Sequence, residues 1–217
     1  MPGFTTRQVH AGARTADVTP RVTPIYLTAG FSFDEYEDAS ANFGDGVGYA
    51  YTRIANPTIE DVEAKLAALE GGSQALLLAS GQAATTVAIL ALASAGDHVL
   101  CSNHVYEGTR GLLLDNLSRF GIDTDFVEDI EDPAAWEAAI RPNTRVLFAE
   151  SISNAANRLL DTRAIAAVAH RHGLPLVIDN TFATPYLLRP LEQGADVVVH
   201  SASKFLSGHG AVIGGAI

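Results

Sequence analysis

The strongest constraint on the fold of this sequence is a regular alternation of short apolar runs with helical segments from residue 60 onward. Short, continuously apolar runs are typical of strands that are covered on both faces. Strands that alternate with helices build a mostly parallel sheet with helices on both of its faces. The predicted strands cover residues 74–79, 99–102, 123–127, 145–149, 176–178 and 196–200. The predicted helices cover residues 60–70, 85–93, 106–120, 134–140 and 162–172, the last two capped by Asp132 and Asp161. We therefore predict an α/β fold.

Residues 1–59 follow a different pattern, with several glycines and prolines and little clear periodicity. An arm of this kind cannot build its own core, so we expect it to lie against another surface, which in an oligomer could be a neighbouring subunit. We therefore divide the chain into an N-terminal arm, residues 1–59, and a ligand-binding domain, residues 60–217. The apolar residues 214–217 carry no turn signal, and a strand there would expose its edge, so we expect the sequence to be cut short.

Composition excludes several classes of protein. The formal net charge is −11, whereas proteins that bind nucleic acid or an anionic membrane through their bulk surface carry the opposite sign. No run approaches the roughly 18 consecutive apolar residues that span a bilayer, and the N-terminus lacks the apolar core of a signal peptide. The single cysteine, Cys101, excludes a disulfide framework and lies in an apolar run, which predicts a buried structural thiol. We expect a cytoplasmic protein without a nucleic-acid or membrane partner.

Polar segments follow three of the predicted strands directly. They are Ser80–Gln82, Asp179–Asn180 and Ser201–Lys204. Ligands of parallel α/β sheets gather at the carboxyl ends of the strands, so these segments are expected to meet around one site. No metal is predicted there or elsewhere, because His170 and His172 are two apart on a helix and face different ways.

The segment around Gly81 joins an apolar strand to a helix. Glycine allows close approach of a ligand to the backbone, and the first N–H groups of a helix are unpaired and suit a phosphate. An ordinary tight turn between strand and helix explains the same residues equally well.

Lysine is scarce, since the chain contains only Lys65 and Lys204. Lys65 lies among acidic residues on an amphipathic helix and is interpreted as a surface residue. Lys204 follows three valines and two serines, and a buried lysine tends toward the neutral amine that attacks an aldehyde. The alternative is a lysine that reaches out to solvent from a strand end.

Asp179 follows a buried strand, where a carboxylate needs a positive partner or several hydrogen bonds. A protonated pyridine nitrogen would serve, and a salt bridge or a helix cap is the alternative. Tyr106, at the start of a helix, could stack on a flat ring or pack in the core. Tyr51 and Arg53 combine a phenol with a guanidinium and could hold a phosphate, although an exposed arginine in a loop is usually just solvated.

Together these residues resemble the Cys/Met metabolism family of pyridoxal-phosphate enzymes, in particular its O-acetylhomoserine sulfhydrylase branch. The resemblance implies the fold-type I, aminotransferase-like architecture, of which this sequence would hold the large domain and lack the C-terminal domain. The matching segments appear in family order and are Gln8–Gly12, Tyr51–Thr58, Ala79–Ala84, Asp179–Pro185, and His200–Lys204 with Gly208–Gly210. Ala155 and Ala156 follow Asn154 where the family usually has a proline, which predicts a looser turn.

The resemblance also implies a cofactor, pyridoxal 5′-phosphate, and a role for each matching residue. Lys204 would form an imine with the cofactor's aldehyde and move protons at the substrate's α and β carbons. Asp179 would keep the pyridine nitrogen protonated, and Tyr106 would stack on the ring. The other cofactor-binding residues would be Gly81, Gln82, Asn154, Thr181, Ser201 and Ser203, with Tyr51 and Arg53 reaching in from the adjacent subunit of a homo-oligomer, a dimer of dimers.

The implied reaction is γ-replacement on O-acetyl-L-homoserine, in which sulfide or a thiol displaces acetate and gives homocysteine or methionine. Methionine and cystathionine γ-lyases or synthases of the family use the same cofactor residues. Family members continue into a C-terminal domain that supplies an arginine for the substrate carboxylate. The chain would therefore be a fragment, be completed by a second polypeptide, or be a truncated, non-catalytic cofactor-binding subunit.

Overall fold

The structure is a computed structural model that describes residues 3–12, 20–44, 46 and 48–217. The chain divides into two compact units, one of residues 1–69 with 73–75 and one of residues 70–72 with 76–217. The helices of the first unit are α1 (Phe4–His10), α2 (Tyr36–Gly44) and α3 (Pro57–Glu70), the last of which ends in the second unit.

The predicted arm is therefore not extended throughout, because it includes α1, α2 and the start of α3. Its positions 1–2, 13–19, 45 and 47 lie outside the described residues. Several large apolar side chains of this unit are exposed, including Ile25 at 81% and Leu27 at 96%. These apolar side chains are therefore left uncovered among the described residues.

The second unit is built on a five-stranded parallel sheet, as the alternation of strands and helices predicts. Its strands are β2 (His98–Ser102), β3 (Asp123–Val127), β4 (Thr144–Glu150), β5 (Leu176–Asp179) and β6 (Val197–Val199). Their order across the sheet is β3-β2-β4-β5-β6, and all neighbours run parallel.

The strand predicted over residues 74–79 is the main error in the strand assignment. Only Leu77–Leu78 form a strand, β1, which pairs antiparallel with β7 (Gly215–Ala216) outside the parallel sheet. An apolar run shows that a segment is covered but does not show which strand it pairs with. β7 is also bridged to His200 at the end of β6 through two backbone hydrogen bonds between His200 and Ala216.

The helices of the second unit are α4 (Gly81–Leu92), α5 (Glu107–Gly111), α6 (Pro133–Ala139), α7 (Thr162–Arg171) and α8 (Thr184–Leu187), with a π-helical turn at Leu112–Asn116 and 3₁₀ turns at Leu117–Phe120 and Pro190–Gln193. Four of these helices, α4 to α7, lie at predicted positions, whereas α8 was not predicted. The cap residues are confirmed, because the carboxylates of Asp132 and Asp161 accept hydrogen bonds from the N–H groups of Ala134 and Ala164 at 2.9 and 3.1 Å.

The core lies on both faces of the sheet because successive strand side chains point to opposite sides. On one face Val99, Cys101, Phe148 and Val177 pack with residues of α4 and of the turns after α5. On the other face lie Leu100, Leu147, Leu176 and Ile178, packed with residues of α6 and α7. The buried Cys101 is a free thiol, as predicted. The sheet is thus covered on both sides, and the carboxyl ends of its strands remain for a ligand.

Within the described residues, no helix is both long and apolar enough to pass through a bilayer. The same residues contain no group of three or more histidine, cysteine or acidic side chains that could hold a metal ion. His170 pairs with Asp196 and His172 pairs with Glu137, so the two imidazoles do point in different directions.

Candidate active site

A cavity of about 740 Å³ lies at the carboxyl ends of β4, β5 and β6, beside the first turn of α4. Nine of the residues singled out by the sequence line it together: Gly81, Gln82, Tyr106, Asn154, Asp179, Thr181, Ser201, Ser203 and Lys204. Tyr51 and Arg53 belong to the first unit and are not among the lining residues. The three polar segments that follow separate strands therefore do converge on one site.

The N-terminus of α4 forms one wall of the cavity. The hydroxyl of Ser80 caps the helix by accepting a hydrogen bond from the N–H of Ala83 at 3.1 Å. The N–H groups of Gly81 and Gln82 precede the helix's own hydrogen bonds and point out of its end, where an anion is stabilised. A β-carbon on Gly81 would lie 2.6 Å from Cβ and 2.9 Å from Cα of Ser201, so only glycine fits between the two segments.

Gly81→Ala is expected to push α4 away from the Ser201 segment and to weaken anion binding. Overpacking of this kind costs about 1–3 kcal/mol of unfolding free energy. We expect the affinity for pyridoxal phosphate to fall about tenfold, which corresponds to about 1.4 kcal/mol of binding free energy. Gly111→Ala is the matched control, since the atom nearest to its β-carbon, apart from the backbone of its own helix, would be Asp115 Oδ2, 3.6 Å away. Equal effects of the two substitutions on binding, measured by titration, would contradict a close-packed anion site.

Lys204 lies in the turn beyond β6 and is exposed at the cavity rim. The prediction that it is buried is therefore wrong. The reason is its position five residues past Val199, so that its backbone has already left the sheet, with its N–H donating to Ser201 O at 3.1 Å. Its amine is positioned to meet a ligand in the cavity.

Asp179 ends β5 and is held by the residue two positions later. The N–H of Thr181 donates to its carboxylate at 2.9 Å, and the hydroxyl of Thr181 accepts a hydrogen bond from the N–H of Ser201 at 2.7 Å. Burial raises the pKa of Asp179, while the hydrogen bonds from Thr181 and the charge of His200 oppose that rise. Because burial disfavours the ionised form of this carboxyl group, a cation beside it would stabilise that form strongly.

Glu150 is a cavity residue that the sequence analysis did not single out. It ends β4 and stands opposite Asp179 in the parallel register, so the two carboxyl groups share one face of the sheet. Its two oxygens accept hydrogen bonds from the N–H of Tyr106 at 2.6 Å and of Asn154 at 2.9 Å. Burial first, and then the neighbouring Asp179, raise the pKa of Glu150 to about 7. The sequence does contain a signal for Glu150, because this acidic residue ends an apolar run just as Asp179 does.

Glu150 should make the protein less stable as the pH rises toward neutrality. The fold raises its pKa from an ordinary 4.5 to about 7, so its stabilising effect is complete below the lower value and is lost as the pH passes through the higher one. The loss is at most about 3 kcal/mol in unfolding free energy. Urea unfolding of Glu150→Gln across this range should show a flatter pH dependence than wild type. The same slope in both proteins would contradict the assignment, and Glu137→Gln, on the surface, serves as the control.

The remaining lining residues differ in how free their polar groups are. The ring of Tyr106 is 51% exposed and lies against Gly108, whose β-carbon would collide with it and with the amide of Gln82. The hydroxyl of Ser203 lies 3.2 Å from the carbonyl and 3.0 Å from the N–H of Gly214. Ser203 therefore ties the turn that carries Lys204 to the segment before β7.

These groups define the chemistry that the cavity can support. One wall offers helix N–H groups for an anion, the floor offers the carboxyl group of Asp179 for a cation, and the rim offers the primary amine of Lys204. The exposed ring of Tyr106 provides an aromatic surface between them. A flat, cationic aromatic ring with a phosphate and an aldehyde fits this set of partners, so the residues present suit pyridoxal phosphate.

Comparison with known proteins identifies the family. The family model of the Cys/Met metabolism PLP-dependent enzymes matches residues 5–217. An O-acetyl-L-homoserine sulfhydrylase of Corynebacterium glutamicum is 49% identical over 217 residues, which are 99% of this chain and 50% of that protein. An L-methionine gamma-lyase of Porphyromonas gingivalis is 45% identical over 99% of this chain and 54% of its own length. The chain thus spans about half the length of these curated relatives.

A solved structure shares the fold and holds the cofactor. A Campylobacter jejuni protein assigned as an O-acetylhomoserine (thiol)-lyase superposes with a TM-score of 0.94 at 37% identity, over all of this chain and 53% of that one. It carries N′-pyridoxyl-lysine-5′-monophosphate. The predicted fold class and cofactor are therefore confirmed. This chain belongs to the Cys/Met metabolism family of PLP-dependent enzymes.

Proposed function

We propose that the cavity binds pyridoxal 5′-phosphate and that Lys204 is the lysine that holds it. The observation that carries this proposal is the meeting of Lys204, Asp179 and the N-terminus of α4 around one cavity of a protein in this family. Lys65, the other lysine of the chain, lies on α3 and is not among the lining residues.

Each residue's role follows from its place around the cavity. The N–H groups of Gly81 and Gln82, with Ser201, would bind the phosphate, and Asp179 would face the ring nitrogen, with Thr181 holding its carboxylate. Tyr106 would cover the ring, and Asn154, fixed by Glu150, would lie near the ring hydroxyl. When bound, the cofactor supplies an electron sink for charge that develops on the substrate carbons.

We propose that the reaction is γ-replacement on O-acetyl-L-homoserine, in which sulfide or a thiol displaces acetate. Lys204, at the rim of the cavity, would carry protons from the α carbon and to and from the β carbon so that the γ substituent can leave. The proposal is supported by the 49% identity with the Corynebacterium glutamicum sulfhydrylase. The second candidate is γ-elimination from L-methionine, supported by three gamma-lyases that are 43–45% identical.

Product analysis distinguishes these candidates. The purified protein with pyridoxal phosphate is incubated separately with O-acetyl-L-homoserine plus sulfide, with L-methionine and with L-cystathionine. Homocysteine and acetate from the first mixture, at the highest kcat/KM, would support the replacement reaction. Ammonia and a keto acid chiefly from methionine or cystathionine would favour a lyase. Cofactor binding without any turnover would instead indicate a non-catalytic cofactor-binding subunit, or a chain that needs a second polypeptide.

We further propose that the protein acts in the cytoplasm as a homo-oligomer, a dimer of dimers, in which Tyr51 and Arg53 contact the phosphate of a neighbouring subunit. The guanidinium of Arg53 lies 5.4 Å from the centre of the Tyr51 ring, and both side chains are exposed. The exposed apolar side chains of the first unit offer a surface for such contacts. Light scattering gives the subunit number, and Arg53→Ala should weaken cofactor binding if an oligomer forms.

A further inference from the structure

Behind the floor of the cavity lies a buried polar cluster that the proposed mechanism does not use. It consists of Glu70, Ser151, Asn180 and His200, which are 6%, 1%, 0% and 4% exposed. Polar groups are rarely buried so completely without a role, since each loses its hydration. All four belong to the second unit.

The four side chains form one chain of hydrogen bonds. The hydroxyl of Ser151 donates to Oδ1 of Asn180 at 2.8 Å, and Nδ2 of Asn180 donates to Oε1 of Glu70 at 3.1 Å. The same oxygen of Glu70 lies 2.6 Å from Nε2 of His200. A contact this short needs a proton between nitrogen and oxygen, because two lone pairs would repel each other. Glu70 and His200 therefore hold a proton between them.

The cluster is placed behind the cavity by the pleat of the sheet. Three of its members directly follow the last residues of β4, β5 and β6: Ser151 follows Glu150, Asn180 follows Asp179, and His200 follows Val199. Since successive side chains alternate between the faces, the carboxyl groups of Glu150 and Asp179 point into the cavity while the cluster points to the opposite side. Each hydrogen bond of the cluster thus fixes the backbone next to a cavity residue.

The pair also carries charge close to Asp179. Apart from Thr181, the group that favours the ionised form of Asp179 is His200, whose positive charge opposes the rise caused by burial. The other charged groups nearby are Glu150, which disfavours a second negative charge, and Arg189, which interacts with Glu70 and is paired with Glu192. Glu70 Oε2 and His200 Nδ1 have no hydrogen-bond partner among the described residues. Within that part of the chain, the imidazole of His200 is therefore held by its one hydrogen bond to Glu70 Oε1.

We propose that the Glu70–His200 pair is a positioning element of the cofactor cavity, which aligns the ends of β4, β5 and β6 and fixes the imidazole of His200 behind Asp179. The proposal rests on the proposed binding of pyridoxal phosphate in this cavity. It assigns Glu70 and His200 an indirect role, because neither lines the cavity and both would act through Asp179.

The test measures the dissociation constant of pyridoxal phosphate from about pH 8 to about pH 6 in wild type and Glu70→Gln. Without the carboxylate, His200 loses the partner that fixes it behind Asp179, so it opposes the rise in the pKa of Asp179 less and Asp179 takes up a proton more readily. The ratio of the variant's constant to that of wild type should then rise about three- to tenfold toward the lower pH. Glu150 titrates in the same range, but it is present in both proteins and cancels in the ratio. Glu137→Gln, which alters the exposed pair with His172, should give a flat ratio.

A second variant separates charge from structure. The double substitution Glu70→Gln with His200→Gln allows an amide–amide hydrogen bond at the same place but removes both charges, so it should show the same pH-dependent ratio with less loss of stability. A ratio that is constant with pH in both variants would overturn the proposal and leave only a structural role. If wild type itself binds no pyridoxal phosphate, the proposed function fails instead, so the two failures are distinguishable.

Discussion

Replacing Lys204 by alanine is expected to abolish the visible absorbance that appears when the protein is mixed with pyridoxal phosphate. Lys204 is the one lysine that lines the cavity, and no other side chain there carries a primary amine. The variant should still bind the cofactor non-covalently, because the N-terminus of α4 and Asp179 are unchanged. Turnover should fall at least about a thousandfold, since the proposed covalent link and the proposed proton carrier would both be lost.

Lys65→Ala is the matched control for this experiment. Lys65 lies on α3, outside the residues that line the cavity, and its removal should leave absorbance and turnover unchanged. Because Lys204 is exposed, its replacement should also leave the unfolding free energy within about 0.5 kcal/mol of wild type. Loss of absorbance in Lys65→Ala with retention in Lys204→Ala would reverse the assignment of the two lysines.

Asp179→Asn is expected to have the second largest effect on activity. Asparagine keeps the size of the side chain and can still accept the hydrogen bond from the N–H of Thr181. It cannot stabilise a proton on the ring nitrogen, so the cofactor becomes a poorer electron sink. We expect turnover to fall on the order of a hundredfold to a thousandfold, the size found when one preorganised electrostatic contact is removed.

The same substitution should not destabilise the protein without its cofactor. Burial raises the pKa of Asp179, which means that its ionised form is disfavoured in the fold. Removing that charge should leave the unfolding free energy at neutral pH equal or higher, measured by urea unfolding. A site that trades stability for function behaves in this way. A large loss of stability with unchanged turnover would show that Asp179 has a structural role.

Much of the second unit could be predicted from sequence because its local and tertiary signals agree. Asp132 and Asp161 precede their helices as caps do, and the apolar runs of β2, β4 and β5 are covered on both faces as continuous runs imply. The convergence of Asp179 with the Ser201–Lys204 segment followed from the parallel sheet, whereas Ser80–Gln82 follows β1, which lies outside that sheet.

The errors arise where position depends on partners distant in sequence. The run at residues 74–79 is apolar, but its pairing with Gly215–Ala216 cannot be seen locally. Lys204 was expected to be buried because it follows apolar residues, yet the chain turns at Ser201 and brings the amine to the rim. α2 was missed because its sequence, Tyr36–Gly44, is mostly polar and none of its residues is buried.

The missed functional residues share another cause. Glu150 and Asp179 occupy equivalent positions on neighbouring strands, but only the register shows that their carboxyl groups lie side by side on one face of the sheet. The contact between Glu70 and His200 joins residues 130 positions apart, so no sequence pattern could indicate it. Contacts between residues so far apart in sequence can be identified only in the folded structure.

Lys204 is proposed to be the amine that binds the aldehyde of pyridoxal phosphate in this cavity. The direct measurement is reduction of the protein with borohydride in the presence of pyridoxal phosphate, followed by proteolysis and mass mapping of the labelled peptide. We expect one pyridoxyl group per chain, on the peptide that contains Lys204. A label on Lys65 or on the N-terminal amine alone, or no label at saturating cofactor, would show that Lys204 does not bind the cofactor.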